Sequence, residues 1–142
     1  MHRKGLPDYR GLKICYSGNH LQGFPDIRRI DIPEKGFDRL KLDQVGTVGS
    51  GGNSGFQALN LAIQFGAKRI ILVGFDMTDA SGVHWYGRNS WPQANNPMEH
   101  NFKRWIAAFE TVSGVEVVNA SPYSALQCFP KKSIAEALHE WQ

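Results

Sequence analysis

The sequence predicts an α/β fold, a mostly parallel sheet flanked by helices, and three observations carry that prediction. "RIILVGF", beginning at Arg69, is a continuous apolar and β-branched run of strand length, the pattern of a strand buried on both faces in a parallel sheet. Helix-spaced apolar residues stand on either side of it, from Asn53 to Gly66 and in "MEHNFKRWIAAFETV". A second apolar run, "VEVVNA", is followed by another helical segment, "KSIAEALHEW". Strands alternating with helices through short links call for right-handed crossovers and a sheet covered by helices.

In chain order, "LKICYS" (Leu12 to Ser17) reads as a short buried strand closed by Gly18 and Asn19. "RRIDIP" offers a second strand, stopped by Pro33. From Glu34 to Val48 the pattern is weak and fits irregular structure with one short strand near Thr47. Phe56, Leu59, Asn60, Ile63 and Phe65 then recur at near-helical spacing, with Asn53 or Ser54 as N-cap and Gly66 as the stop. After the "RIILVGF" strand, Met77 to Pro97 is a loop of about 20 residues rich in Asn, Gly, Trp and Pro. Such a length in a compact domain points to function. The next helix places Phe102, Ile106, Phe109 and Val112 on one face and ends near Gly114. "SPYSALQCFP" reads as a helical turn, and Ser133 with Glu136 as a capping box for the last helix. The whole is Rossmann-like in a shortened version, one domain over residues 1–142 with no internal repeat.

Composition narrows the function classes. With 42% hydrophobic and 20% charged residues the chain is that of a soluble globular domain, and no apolar run approaches the roughly 20 residues needed to span a bilayer. The N-terminal stretch lacks the uninterrupted apolar segment of a secretory signal, so a cytoplasmic location is expected. Cys15 and Cys128 form no C-x-x-C pair and read as buried small hydrophobes. The net charge of +3 suits an anionic ligand, but the basic residues are scattered as "HRK", "RR", "KR" and "KK", which argues against nucleic acid.

"GSGGNSG" before the first long helix has the two properties of a phosphate cradle: glycines that let backbone amides approach an anion, and a helix start whose first amides lack intrahelical acceptors. It lacks the third glycine of a dinucleotide fingerprint and the Gly-Lys-Ser/Thr of a P-loop, and it equally suits a flexible approach to a capped helix. Ligands in open α/β sheets sit beyond the carboxyl ends of strands, and that rule brings together Gly51, Gly52, Asn53, Ser54 and Gly55, Asp76 after "ILVGF", and Asn119 after "VEVV". Asp76 and Asn119 suit a ribose hydroxyl or a base amine, or a loop amide of their own chain.

In "GVHWYGRNSW", Trp85, Tyr86 and Trp91 suit stacking on a base or sugar, and Arg88 suits a phosphate; the same aromatics suit a small satellite core. His84 and His100 have the chemistry of a general base for a hydroxyl acceptor, and either also suits the surface. No H-E-x-x-H, G-x-S-x-G or paired-carboxylate spacing occurs.

"NSGFQALNLAIQFGAKRIILVGFDM", "HWYG" and "VEVVNASPYSALQCFP" together resemble a family common in phage and prophage genomes, which is similar to the bacterial sialyltransferases that use CMP-sialic acid and to motility-accessory glycosyltransferases. The likeness covers about Val45 to Pro130. It implies that Asn53, Ser54 and Gly55 face a nucleotide with Asp76 beside it. It further implies that His100, better placed than His84, is the base, and that Tyr86 helps hold the leaving phosphate. No metal or other cofactor is implied, because helix amides, Tyr and Arg would offset the leaving-group charge.

The family's sialyltransferases open with a strand and a Gly-x-Gly-Pro-Ser loop that this chain does not show, so the resemblance implies the second half of that fold. Three functions follow as expectations: a glycosyltransferase-like protein using a nucleotide-activated sugar, a non-catalytic phage protein that sequesters or senses a nucleotide, and a structural or assembly protein. The expected partner is a small nucleotide or nucleotide-sugar in the cytoplasm, the host's if the chain is phage-encoded. A homo-oligomer is compatible with all three.

Overall fold

The structure, a computed structural model, describes residues 9–16, 24–32, 38–80, 82, 87–88 and 96–142. Its elements are β1 (Lys13–Cys15), β2 (Ile27–Arg29), α1 (Ser54–Gln64), β3 (Arg69–Leu72), α2 (Glu99–Glu110), β4 (Glu116–Asn119) and α3 (Ile134–Glu140).

Both strand pairs are parallel, and the connection from β3 to β4 carries α2, as strand–helix alternation requires. β1 pairs with β2 in the register Lys13↔Ile27 to Cys15↔Arg29, and β3 with β4 from Arg69↔Glu116 to Leu72↔Asn119. Each pair gains a third parallel segment through one bridge, Asp31 to Thr47 and Asn119 to Lys131. The strand expected near Thr47 is this bridge, secured by Asp31 N donating to Gly46 O and Val48 N donating to Asp31 O, each at 2.9 Å. Among the described residues the sheet is thus two parallel pairs, not one continuous layer. "RIILVGF" departs from its expected burial on both faces: β3 stops at Leu72, Val73 beyond it is 59% exposed, and among the described residues β3 pairs with β4 alone.

α1 begins where the cap predicts. Asn53 Oδ1 accepts from Phe56 N at 2.9 Å, and Gly66, with φ +90, supplies the left-handed residue that ends the helix. Phe65, expected on the apolar face, is instead the C-cap and lies exposed. Beside the apolar face, α1 carries amides at i, i+3 and i+7. Gln57 Nε2 donates to Ser50 O, Asn60 Oδ1 accepts from Lys41 N and Gly49 N, and Gln64 Nε2 donates to Lys41 O and Thr47 O. This stripe binds the irregular 41–50 segment to the helix and meets its backbone's hydrogen-bonding needs without a strand.

α1 also joins two apolar clusters. Phe56 and Leu59 pack with Leu72, Ala108, Phe109, Val117 and Leu126, while Leu61 packs with Ile30 and Val48. Phe109 of α2 is the hub of the larger cluster, with edge-to-face rings from Phe56 at 5.4 Å, Phe75 at 5.6 Å and Phe129 at 6.4 Å. Ile106 and Val112 line the same face as expected, but Phe102 packs edge-on against Trp105.

α3 carries the expected capping box, Glu136 N donating to Ser133 Oγ and Ser133 N to Glu136 Oε2. Its end is latched to the sheet: Trp141 Nε1 donates to Glu116 Oε1, and Arg69 donates to Trp141 O with its guanidinium over the indole ring. Neither cysteine is buried as expected. Cys15 ends a strand only partly covered, and Cys128 lies exposed on the stretch that leads from the 121–125 turn to the Lys131 bridge. No helix among the described residues is long and apolar enough to cross a membrane.

Candidate functional site

The glycine loop is built for close packing. Gly51 and Gly52 have φ values of +54 and +70, which side chains disfavour. A Cβ on Gly51 would stand 2.2 Å from Phe56 Cδ1, and one on Gly52 would stand 2.8 Å from Trp105 Nε1. Gly51, expected to face a ligand, is buried and shapes the loop from within. Asn53 spends its side chain on the cap and on Gly51 O, to which Nδ2 donates at 3.0 Å.

Ser54, exposed, and Gly55, half-buried, open α1, and their amides precede the first intrahelical bonds. Gly55 packs directly on the segment that follows β3, where a Cβ would stand 2.6 Å from Phe75 Cε1. The start of α1 therefore meets the stretch leading out of the carboxyl end of β3.

From the other side the 121–125 turn grips the same strand end. Ser121 Oγ accepts from Phe75 N at 2.8 Å, Ser124 Oγ donates to Phe75 O at 2.5 Å, and Ala125 N donates to Asp76 O at 2.7 Å. Both backbone groups of Phe75 are thus held by serines that are themselves 2% and 3% exposed. Phe75 is further locked by its ring contact with Phe109. Met77, next along the chain, adopts φ 54, a left-handed conformation that costs a residue with a side chain about 1 kcal/mol. The Ala125 bond and the packing of Met77 on the larger cluster hold it there. Between these anchors the Asp76 side chain is exposed.

Asn119 is 1% exposed and sits inside the turn, with Nδ2 donating to Leu126 O and Oδ1 accepting from Ser121 N. It therefore shapes the segment that carries the serine clamp. The turn itself, closed by Ser124 N donating to Ser121 O, is a β-turn and not the helical turn expected of "SPYSAL". A Ser-Pro start resembles a helix cap, but here the hydroxyls reach across to Phe75, beyond the end of β3.

His100 is exposed in the first turn of α2, five residues and about 7.5 Å of helix rise before Trp105, the residue that covers Gly52. Arg88 is also exposed, and among the described residues no hydrogen bond or ion pair joins Arg88 or His100 to the Asp76 cluster. His84 and Tyr86 lie outside the described residues, as do Trp85 and Trp91. No group of three or more His, Cys, Asp or Glu able to hold a metal ion occurs among the described residues.

Two open clefts lie near the strand ends. One, of about 570 Å³, is lined by Tyr16, Arg29, Asp31 and Lys41; the other, of about 460 Å³, by Ala120, Ser121, Pro122 and Lys131. The second abuts the serine clamp.

Sequence reasoning passed over the serine pair and the amide stripe. A Ser-Pro-x-Ser turn directly after a buried strand, and Gln57, Asn60 and Gln64 at helical spacing, were the signals that could have found them. No family model, no curated protein and no solved structure matches this chain.

Proposed function

We propose that the protein binds a nucleotide-activated sugar and acts as a glycosyltransferase-like enzyme of the sialyltransferase type. In this reading the two parallel pairs are halves of a shortened Rossmann-like sheet, with α1 as the crossover between the Thr47 segment and β3. The observation that carries the proposal is the convergence of Gly55 and the serine-clamped turn on the Phe75–Asp76 strand end. Amides at the start of an 11-residue helix favour an anion, so the donor's phosphate belongs at Ser54 and Gly55. Asp76 accepts a hydrogen bond from a ribose hydroxyl or a base amine beside it.

Transfer needs a base for the acceptor hydroxyl, and that role falls to His100. As the imidazole takes the proton, the acceptor oxygen bonds to the anomeric carbon, and the bond from that carbon to the donor's phosphate oxygen breaks. The nucleotide leaves with the electron pair, its charge held by the α1 amides, with Arg88 and Tyr86 as further phosphate ligands.

Ser54→Asp separates a ligand role from a structural one, because the two respond with opposite sign. A carboxylate in the first turn of a helix is neutral to stabilising by a few tenths of a kcal/mol, yet it repels a phosphate at the same amides. The expected result is an unchanged or slightly raised melting temperature and at least about tenfold weaker binding of CMP or a CMP-sugar by calorimetry. Equal affinity in the variant would remove the site from α1. Donor turnover lost in His100→Ala supports the base assignment. Nucleotide binding with no release of sugar from any donor would make the protein a sequestering or sensing one, and indifference to every nucleotide would leave an assembly role.

A further inference from the structure

The turn that clamps the strand end carries one large side chain that the clamp leaves unused. Tyr123 is 83% exposed, the highest value of any large hydrophobic residue among those described. Its backbone is nevertheless tightly fixed. Ser121 and Ser124 on either side are buried and bonded to Phe75, Pro122 restricts the position before it, and Ser124 O accepts from both Lys131 Nζ at 2.7 Å and Gln127 Nε2 at 3.0 Å. A single exposed aromatic is ordinary on a mobile loop. On a frame held by these hydrogen bonds it is a prepositioned flat surface with only two side-chain torsions left to order.

Its location gives that surface a use. Tyr123 is two residues from Ala125, whose amide holds Asp76 O, so its Cα lies at most about 7.6 Å from that of Ala125. Gly55 at the start of α1 abuts the Phe75 ring, Asp76 follows Phe75, and Ala125, two residues from Tyr123, bonds to Asp76 O, so the proposed phosphate, sugar and base have linked neighbours in turn. The Asp76 carboxylate disfavours a second anion beside the turn, which leaves the uncharged end of the ligand for Tyr123.

We propose that Tyr123 is the nucleobase-stacking platform of the site, its ring face against the planar heterocycle while Asp76 accepts from the ribose or an exocyclic amine. The inference rests on the nucleotide reading given under Proposed function. Stacking needs the ring and not the hydroxyl, so Phe and Trp serve in its place and Ala does not.

The test uses the full chain, calorimetry with CMP, UMP, AMP and GMP, and ribose 5-phosphate as a ligand without a base. Tyr123→Ala is expected to weaken the best mononucleotide by about 5- to 150-fold, with Tyr123→Phe and Tyr123→Trp within about threefold of the parent. Ribose 5-phosphate should bind the parent and Tyr123→Ala alike. Because the side chain is exposed, unaltered circular dichroism and melting temperature are expected in all three variants. Full mononucleotide affinity in Tyr123→Ala overturns the stacking role and leaves the nucleotide reading standing. No mononucleotide binding by the parent overturns both. A changed oligomeric state at unchanged affinity overturns the stacking role and assigns Tyr123 to a contact between copies of the chain.

Discussion

Gly51 and Gly66 both adopt left-handed backbone, at φ +54 and +90, yet a methyl group has different consequences at the two positions. At Gly66 a Cβ finds nothing within 4 Å, so only the conformational cost of an L-residue applies, about 1 kcal/mol. At Gly51 it would meet Phe56 Cδ1 at 2.2 Å, and Phe56 is fully buried with its ring edge-on to Phe109, so it has no room to yield. Overpacking adds about 1–3 kcal/mol to the backbone strain. Gly51→Ala is therefore expected to destabilise by about 2–4 kcal/mol and Gly66→Ala by about 1 kcal/mol, read from denaturant midpoints. Equal effects would show that the loop moves freely away from Phe56. Conformational freedom was legible from the sequence at both glycines. The close approach at Gly51 was not, because it depends on which ring the fold brings there.

Among the elements, those with local signals were the legible ones. α1 and α3 begin at residues whose side chains bond to the third amide onward, Asn53 to Phe56 N and Ser133 to Glu136 N, so sequence alone located them. The pairing of β1 with β2 was opaque, since three-residue strands are specified by long-range register and burial more than by their own composition. Half of the candidate site, the Asn53–Gly55 start with Asp76, followed from a rule about strand ends. The serine clamp depends on two hydroxyls meeting a peptide 46 and 49 residues away: the Ser-Pro-x-Ser turn stands in the sequence, but its partner peptide does not follow from it.

The α3 cap also has a pH dependence. Hydrogen bonds from the Ser133 hydroxyl and backbone hold the Glu136 carboxyl below its ordinary value of 4.5. A lowered folded-state value means the cap's contribution is complete above the unfolded value and is lost as pH falls through the folded one. Glu136→Gln should match the parent's stability at low pH, fall below it near neutrality, and flatten the acid limb of the stability curve. An acid limb unchanged in the variant would assign that limb to other carboxylates, such as Asp26 beside Lys13 and Asp43 beside Lys41, which are held low in the same way.

At the scale of the whole molecule, one helix carries both apolar clusters. Leu61 belongs to the cluster around Ile30 and Val48, while Phe56 and Leu59, within the same two turns, belong to the one around Phe109. The amide stripe of Gln57, Asn60 and Gln64 ties the 41–50 segment to that helix as well. Loss of α1 from either cluster therefore removes it from the other, and the two parallel pairs should unfold together. Removing most of the buried Phe109 side chain is expected to cost about 3–5 kcal/mol, and removing that of Leu61 about 2–4 kcal/mol. In both variants the transitions followed by far-ultraviolet circular dichroism and by tryptophan fluorescence should remain coincident and shift together, as two-state behaviour requires. Of the four tryptophans, Trp105 lies on α2 and Trp141 directly beyond α3, so the described ones report on those two helices, while circular dichroism reports on all three. Separate transitions in Leu61→Ala would show that the β1–β2 half melts alone. That result would remove α1 as the coupling element and, with it, the reading of the two pairs as halves of one sheet.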